Sequence, residues 1–291
     1  MISPRITRDT KVILQGISGR AGRLHSRLMR EYGTNIVAGV APQKNINEIN
    51  EIPIFPDCAS AVAATGATVS VALVGACDLL EAMQEAVAAG IKMIVTPTEG
   101  MPVHDALQAK RLTQQAGVLW IGGSTPGMAV AEVAKLGFLP GVSLKSGPLG
   151  LMSKSGTLSY ESGFRLAQRG VGTSVWVGVG GDPVKGVRYS DLVPFYAADT
   201  QTRGLLVIGE IGGNDEEDFA AALRAQSFAK PVFALIAGRT APEGVAMGHA
   251  GALTYGSHGG YAAKRAALEA AGVTVFDTLN AMVEGVAKKL L

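Results

Sequence analysis

KVILQGISGRAGRLHSRLMREYGTNIVAGV, residues 11–40, holds the pattern that decides the fold. A short apolar run ends in glycines at 16, 19 and 22, an amphipathic stretch follows, and a second β-branched run closes the segment. Strand, glycine turn, helix and strand make the βαβ unit of a parallel sheet with right-handed crossovers. The alternation continues outward, predicting strands at 11–15, 35–40, 68–74, 92–96 and 118–121, with helices such as 22–32, 79–89 and 104–116 between them. It breaks over PGMAVAEVAKLGFLPGVSLKSG, residues 126–147, where glycine, proline and lysine interrupt any period and predict a linker. A second series follows, with strands at 149–152, 174–179, 204–208, 232–236 and 273–276 and helices at 156–168, 189–197, 216–225, 261–271 and 279–290. The expectation is an α/β protein of two doubly wound parallel-sheet domains, 1–125 and 148–291.

Composition narrows the function. The 291 residues are 47% hydrophobic, enough for two packed cores, and 26 basic against 24 acidic residues leave a formal charge of +2. That balance argues against a nucleic-acid partner, whose phosphates call for a basic excess. Two cysteines, Cys58 and Cys77, make no disulfide framework and read as small buried thiols; with four scattered histidines they offer no zinc-ligand spacing, so no metal is expected. MISPRITRDTKVIL lacks the apolar core of a signal peptide, and no run approaches the ~18 apolar residues that span a bilayer. A cytoplasmic protein, or a matrix protein whose transit segment is missing, with no membrane partner is expected.

Four stretches carry chemistry. The loop after the first strand is spaced G-x-x-G-x-x-G, and its amides and helix start suit a pyrophosphate. The next strand ends as VAGVAPQK with Lys44 where a ribose-binding acid would stand, which suits a nucleotide bearing an extra phosphate: coenzyme A, or NADP. VTPTEG presents Pro97, Thr98 and Glu99 at the same sheet edge. LMSKSGTLSYES brings Ser153, Lys154, Ser155, Gly156 and Thr157 to a helix start, an anion site by construction and equally a Ser/Thr cap. In the fourth, His249 stands among glycine and alanine in AMGHAGA; Glu210 of VIGEIGG is a carboxylate able to accept one imidazole proton and leave the other nitrogen nucleophilic.

With AVAATGATVSVALV, GVGGDPVKG and KPVFALIAGRTAPEG, these stretches resemble the alpha subunit of succinyl-CoA synthetase, in the nucleoside-diphosphate-forming acyl-CoA ligase superfamily, along nearly the whole chain. The resemblance implies a Rossmann-like CoA-binding domain followed by a flavodoxin-like ligase domain. Its coenzyme A loop falls on Ser18, Gly19, Arg20 and Ala21, its lysine on Lys44 and its second loop on Pro97, Thr98 and Glu99. Its phosphorylated histidine falls on His249, the carboxylate partner on Glu210 and the phosphate-binding helix start on Ser155, Gly156 and Thr157. It further implies an ATP-grasp beta subunit that brings ATP or GTP with Mg2+, and a short carboxylic acid as substrate. Tyr160 matches a tyrosine near the subunit boundary and is a further candidate substrate residue. The family's Gly-Pro-Asn-Cys-Pro-Gly reads Gly-Gly-Ser-Thr-Pro-Gly here, so Ser124 and Thr125 become candidate acid-binding residues, and malate or a sulfonated acid such as sulfoacetate stands beside succinate. An NADP-dependent oxidoreductase and a non-catalytic CoA-binding module are the readings from other classes.

Overall fold

The computed structural model describes residues 3–42, 46–242, 244–245, 248–255 and 259–291. The first half runs β1 (Val12–Gln15), α1 (Arg20–Tyr32), β2 (Ile36–Val40), β3 (Glu48–Ile49), β4 (Ile52–Phe55), α2 (Cys58–Thr65), β5 (Val69–Ala72), α3 (Leu79–Ala88), β6 (Met93–Thr96), α4 (Val103–Gln115) and β7 (Leu119–Gly122). The second runs β8 (Gly127–Val130), β9 (Ala134–Gly137), β10 (Ser146–Ser153), α5 (Gly156–Gln168), β11 (Thr173–Gly178), α6 (Tyr189–Ala198), β12 (Gly204–Glu210), α7 (Asp215–Ala225), β13 (Val232–Ala237), α8 (Tyr261–Ala270), β14 (Thr274–Phe276) and α9 (Leu279–Leu290). Predicted and observed boundaries agree to within a few residues wherever an element was predicted.

Each half builds a seven-stranded sheet. The first is ordered β3-β4-β2-β1-β5-β6-β7 and is parallel apart from β3. Its order reverses between β1 and β5, so the crevice of this sheet opens at the glycine loop after β1. The second is ordered β14-β13-β12-β10-β11-β8-β9, parallel from β14 to β11, and reverses between β10 and β12, where Ser153 pairs with Ile208. Strands β1, β5, β6 and β12 are buried at every position, as continuous apolar runs covered on both faces must be.

Two glycines fit the first helix onto its sheet. A Cβ on Gly16, at φ 76°, would meet the Leu73 carbonyl oxygen at 2.4 Å, and one on Gly22 would meet the Gly16 oxygen at 2.3 Å. Larger residues would push α1 off β1.

The stretch predicted as a linker is ordered. Within 126–147, β8 and β9 form a hairpin antiparallel to each other, and β8 pairs antiparallel with β11, extending the second sheet. Both strands are wholly buried, which erases the polar-apolar alternation that marks a hairpin in sequence. Helix α1 of the first half supplies part of that cover: Met29 shares one core with Met128, Val130 and Leu136, and the Thr34 hydroxyl donates to the Lys135 carbonyl at 2.7 Å. A further correction concerns the cysteines. Cys58 is buried, but Cys77 is exposed in a single 3-10 turn ahead of α3. Among the described residues no helix is long and apolar enough to cross a membrane.

Candidate active site

Strands β10 and β12 end side by side at the switch point of the second sheet, with Ser153 and Glu210 as their last residues. Beyond Ser153 the chain enters α5, whose N-cap Ser155 accepts the Leu158 N–H at 3.3 Å. The cap contributes ~1 kcal/mol to the helix. The N–H groups of Gly156 and Thr157 have no acceptor within the helix, so the positive end of α5 faces the crevice.

His249 lies between β13 and α8, and its Nδ1 stands 2.7 Å from Glu210 Oε2. An ionised carboxylate only accepts, so the shared proton sits on Nδ1 and Nε2 keeps a free lone pair. The histidine side chain is 25% exposed and that of Glu210 only 8%, so the ring meets the crevice while its partner is covered. The bond to Glu210 raises the imidazole pKa above its ordinary value; burial opposes this, the charges of Glu210 and Glu99 support it, and Lys185 pulls the other way.

The ring rests on a glycine: a Cβ on Gly181 would come within 2.5 Å of the imidazole Cγ. Backbone bonds then tie this point to the first domain. The Gly181 N–H donates to the Ser124 carbonyl at 3.2 Å and the Ser124 N–H to the Thr98 carbonyl at 3.0 Å, while the Gly181 carbonyl accepts from Gly251 at 3.3 Å. Asp182 adds a bridge, its buried carboxylate accepting the Gly100 N–H at 3.3 Å. Burial raises the Asp182 carboxyl, reinforced by the charge of Glu99. Thr98, Ser124 and His249 are thus brought to one place although they come from three separate loops.

The other expected residues divide. Gly19, Arg20 and Ala21 are exposed and Ser18 half-buried, around an α1 start that no side chain caps. Arg23 Nε steadies this loop by donating to the Ser18 carbonyl at 3.0 Å. Pro97 is buried, the Thr98 hydroxyl donates to the Val74 carbonyl at 2.8 Å, and Glu99 is exposed. Ser124 adopts the left-handed conformation at φ 56°, unusual for a residue with a side chain. The Thr125 hydroxyl, expected to face an acid, instead donates to the Gly178 carbonyl at 2.5 Å and accepts the Gly127 N–H at 3.0 Å inside the hairpin junction. Being 2% exposed, it anchors the loop and has no proton left for a ligand. Tyr160 is half-buried on α5, and burial pushes its hydroxyl up to about 12. Lys44 lies outside the described residues, as do Ala246, Met247 and His258.

Sequence reasoning missed Gly181 and Asp182, although both lie in the quoted GVGGDPVKG, and it missed a set of buried charges behind Glu210. Lys154 pairs with Asp215 at 3.2 Å and Glu216 at 3.0 Å, Lys185 with Asp215 at 2.9 Å, and Lys264 with Glu216 at 2.5 Å. The acidic run NDEED at the start of α7 was the only visible signal, and such runs usually mark a solvated helix start.

Residues 7–100 match a CoA binding domain and residues 152–274 a CoA-ligase domain. Over 287 residues, 98% of this chain and 94% of the relative, the chain is 43% identical to the succinate–CoA ligase [ADP-forming] subunit alpha of Aquifex aeolicus. The chain belongs to the succinate–CoA ligase alpha-subunit family. A second member, subunit alpha 1 of Archaeoglobus fulgidus, is 40% identical over 98% of this chain and 97% of its own length, and the Staphylococcus aureus subunit alpha is 40% identical over 92% and 88%. Membership in this family of ligases sets aside the nicotinamide oxidoreductase. In fold the chain is similar to a mutant ATP citrate lyase of Methanosaeta concilii, solved with (3S)-citryl-CoA, at a TM-score of 0.89 and 23% identity over 98% of this chain. It is also similar to the dinucleotide forming acetyl-coenzyme A synthetase 1 of Ca. Korarchaeum cryptofilum, at 0.77 and 20% over 95%. The chain spans 50% of the former protein and 60% of the latter.

Proposed function

We propose that this chain is the alpha subunit of an ADP- or GDP-forming acyl-CoA ligase, joining a short carboxylic acid to coenzyme A through a phosphohistidine and an acyl phosphate. The observation that carries this reading is the His249 to Glu210 hydrogen bond, set beside the start of α5 at the switch point of the second sheet. The imidazole Nε2 attacks the γ-phosphorus of the nucleoside triphosphate; the N–P bond forms as the bond to the β-phosphate oxygen breaks and the diphosphate leaves. Glu210 holds the Nδ1 proton and stabilises the charge that the ring acquires. The first-turn amides of Ser155, Gly156 and Thr157 receive the phosphoryl oxygens, fixed dipoles that need no rearrangement at the moment of transfer. A carboxylate oxygen of the acid then takes the phosphoryl group and returns the lone pair to Nε2. Last, the coenzyme A sulfur attacks the acyl carbon, the bond from that carbon to the phosphate oxygen breaks, and inorganic phosphate leaves with the thiol proton.

In this reading 1–125 is the CoA-binding domain, holding the ligand with Ser18, Gly19, Arg20, Ala21, Lys44, Pro97, Thr98 and Glu99, and 148–291 is the ligase domain. A beta subunit with an ATP-grasp site brings ATP or GTP and its Mg2+, and the complex works in the cytoplasm. Ser124, held between Thr98 and Gly181, is the candidate contact for the acid, with Thr125 as its anchor and Tyr160 near the subunit boundary.

The complex, given γ-labelled nucleoside triphosphate and magnesium, is expected to acquire acid-labile, alkali-stable phosphate on this chain, and His249→Ala to remove it. Label that survives the substitution moves the nucleophile elsewhere and overturns the assignment.

A further inference from the structure

Glu210 holds the histidine, and the structure shows what holds Glu210. Below the end of β12 lies the carboxylate of Glu216, in the first turn of α7, with 0% of its side chain exposed. Its Oε1 accepts the backbone N–H of Glu210 at 3.1 Å. Gly209 makes the approach possible, since a Cβ there would sit 2.7 Å from that oxygen. Two ammonium groups grip the carboxylate: Lys154 Nζ at 3.0 Å from Oε1 and Lys264 Nζ at 2.5 Å from Oε2. Lys264, fully buried on α8, also donates to the Gly213 carbonyl and to Glu217, both at 3.0 Å. Lys154 has Asp215 as its second partner.

Charges this deep require partners, because burial without them is strongly unfavourable. The particular pairing has a consequence for the crevice. Lys154 directly follows β10, the neighbour of β12, and its ammonium and the Glu210 N–H meet at one atom, Glu216 Oε1, at 3.0 and 3.1 Å. Without the Glu216 charge only Asp215, already shared with Lys185, would hold that ammonium, which would then compete for the Glu210 carboxylate, and His249 would lose its acceptor.

Resting on the reading of His249 as phosphoryl acceptor, we propose that Glu216, gripped by Lys154 and Lys264, is a positioning residue for the histidine. It anchors the Glu210 backbone and keeps the Lys154 ammonium off the Glu210 carboxylate, so Nδ1–H retains its acceptor and Nε2 remains the nucleophile. Glu216 touches neither substrate nor phosphoryl group. The charged groups that face His249 are Glu210 on β12, Glu99 on the loop after β6, and Asp182 and Lys185 on the loop after β11. The variants below leave all four in place.

The test uses the assembled complex with its beta subunit and 15N-labelled histidine. It reads the downfield Nδ1–H proton and the titration of His249, identified by their absence in His249→Gln. Glu216→Gln is expected to abolish that resonance and lower the histidine's apparent pKa by about one unit. It should also slow label incorporation on the order of tenfold, the lower end of what outer partners that orient a histidine contribute in metal sites. Lys154→Met/Glu216→Gln is expected to restore the resonance and the titration, since no competing ammonium remains and the introduced amide oxygen still accepts the Glu210 N–H. A Glu216→Gln complex that titrates like the parent, or a double variant that fails to restore the resonance, overturns the proposal. If Glu216→Gln does not assemble, the double variant decides alone: the resonance kept supports the proposal, the resonance lost overturns it. These signals need no turnover, so a parent complex that carries no phosphate on His249 would overturn the functional reading while the resonance still decides the role of Glu216.

Discussion

Both halves of the chain build a doubly wound sheet and place a loop and a helix start at the switch point, yet the two edges are made of different material. At the first edge the glycine loop is open: Gly19, Arg20 and Ala21 are exposed, α1 begins without a side-chain cap, and the turn is steadied by the Gly19 N–H to Gly16 carbonyl bond and by Arg23 to Ser18. At the second edge, the carboxylate that holds the ring is backed by a buried set of charges, Lys154, Lys185, Lys264, Asp215 and Glu216. Burial alone would raise the Glu216 carboxyl, but Lys154 and Lys264 outweigh it and hold it below its ordinary value. A ligand that arrives from solution and leaves again is served by exposed amides and surface cations. A side chain that is itself to be modified needs its proton, its tautomer and its approach set before the reaction, and buried charges set them without competition from water.

If that contrast is right, changes at the second edge cost chemistry and spare coenzyme A, while changes at the first do the reverse. The largest expected effect is Glu210→Gln, which should slow label incorporation by on the order of a hundredfold or more with coenzyme A affinity unchanged. It should also move the acid limb of the pH profile. The raised pKa of His249 means that the neutral, nucleophilic ring is lost as pH falls through a value above its ordinary 6.5, and without the carboxylate that loss begins at lower pH. An acid limb that stays in place in Glu210→Gln would show that Glu210 does not set the charge of the ring.

Gly181→Ala comes next. The added methyl must displace the imidazole, and misplacement by about an ångström costs roughly a hundredfold. A variant labelled at the parental rate would show that the ring has room to move, and the contact would carry no functional weight.

The first edge should respond in binding alone. Lys44→Glu is expected to weaken coenzyme A by about ten- to a hundredfold, the ~1.5–3 kcal/mol of a charge-assisted contact. Dephospho-coenzyme A should lose far less, and equal losses by isothermal titration would place the effect in the loop rather than the 3′-phosphate. Arg23→Ala removes a single contact to the Ser18 carbonyl, so a loss of about two- to tenfold, ~0.5–1.5 kcal/mol, is expected. If either substitution at this edge slows phosphorylation of His249 as much as Glu210→Gln does, the division of labour between the edges fails.

Much of this was legible in the chain itself. Apolar runs of four to eight residues punctuated by glycine specify buried parallel strands, because local spacing and turn chemistry are written in consecutive residues. For the same reason Ser155, Gly156 and Thr157 could be placed at a helix start, and Glu210 at a strand end. The hairpin β8–β9 was not legible, since cover from α1 removes the alternation that would announce it. Nor was the true place of Thr125, whose hydroxyl meets a carbonyl 53 residues away. The same limit applies to the acids of α7, which read as a solvated helix start until Lys154 and Lys264 are folded against them. Sequence determined the elements and most of the chemistry-bearing side chains, whereas tertiary structure decided which charges are buried and whom they pair with, because burial and partnership depend on residues far apart in the chain.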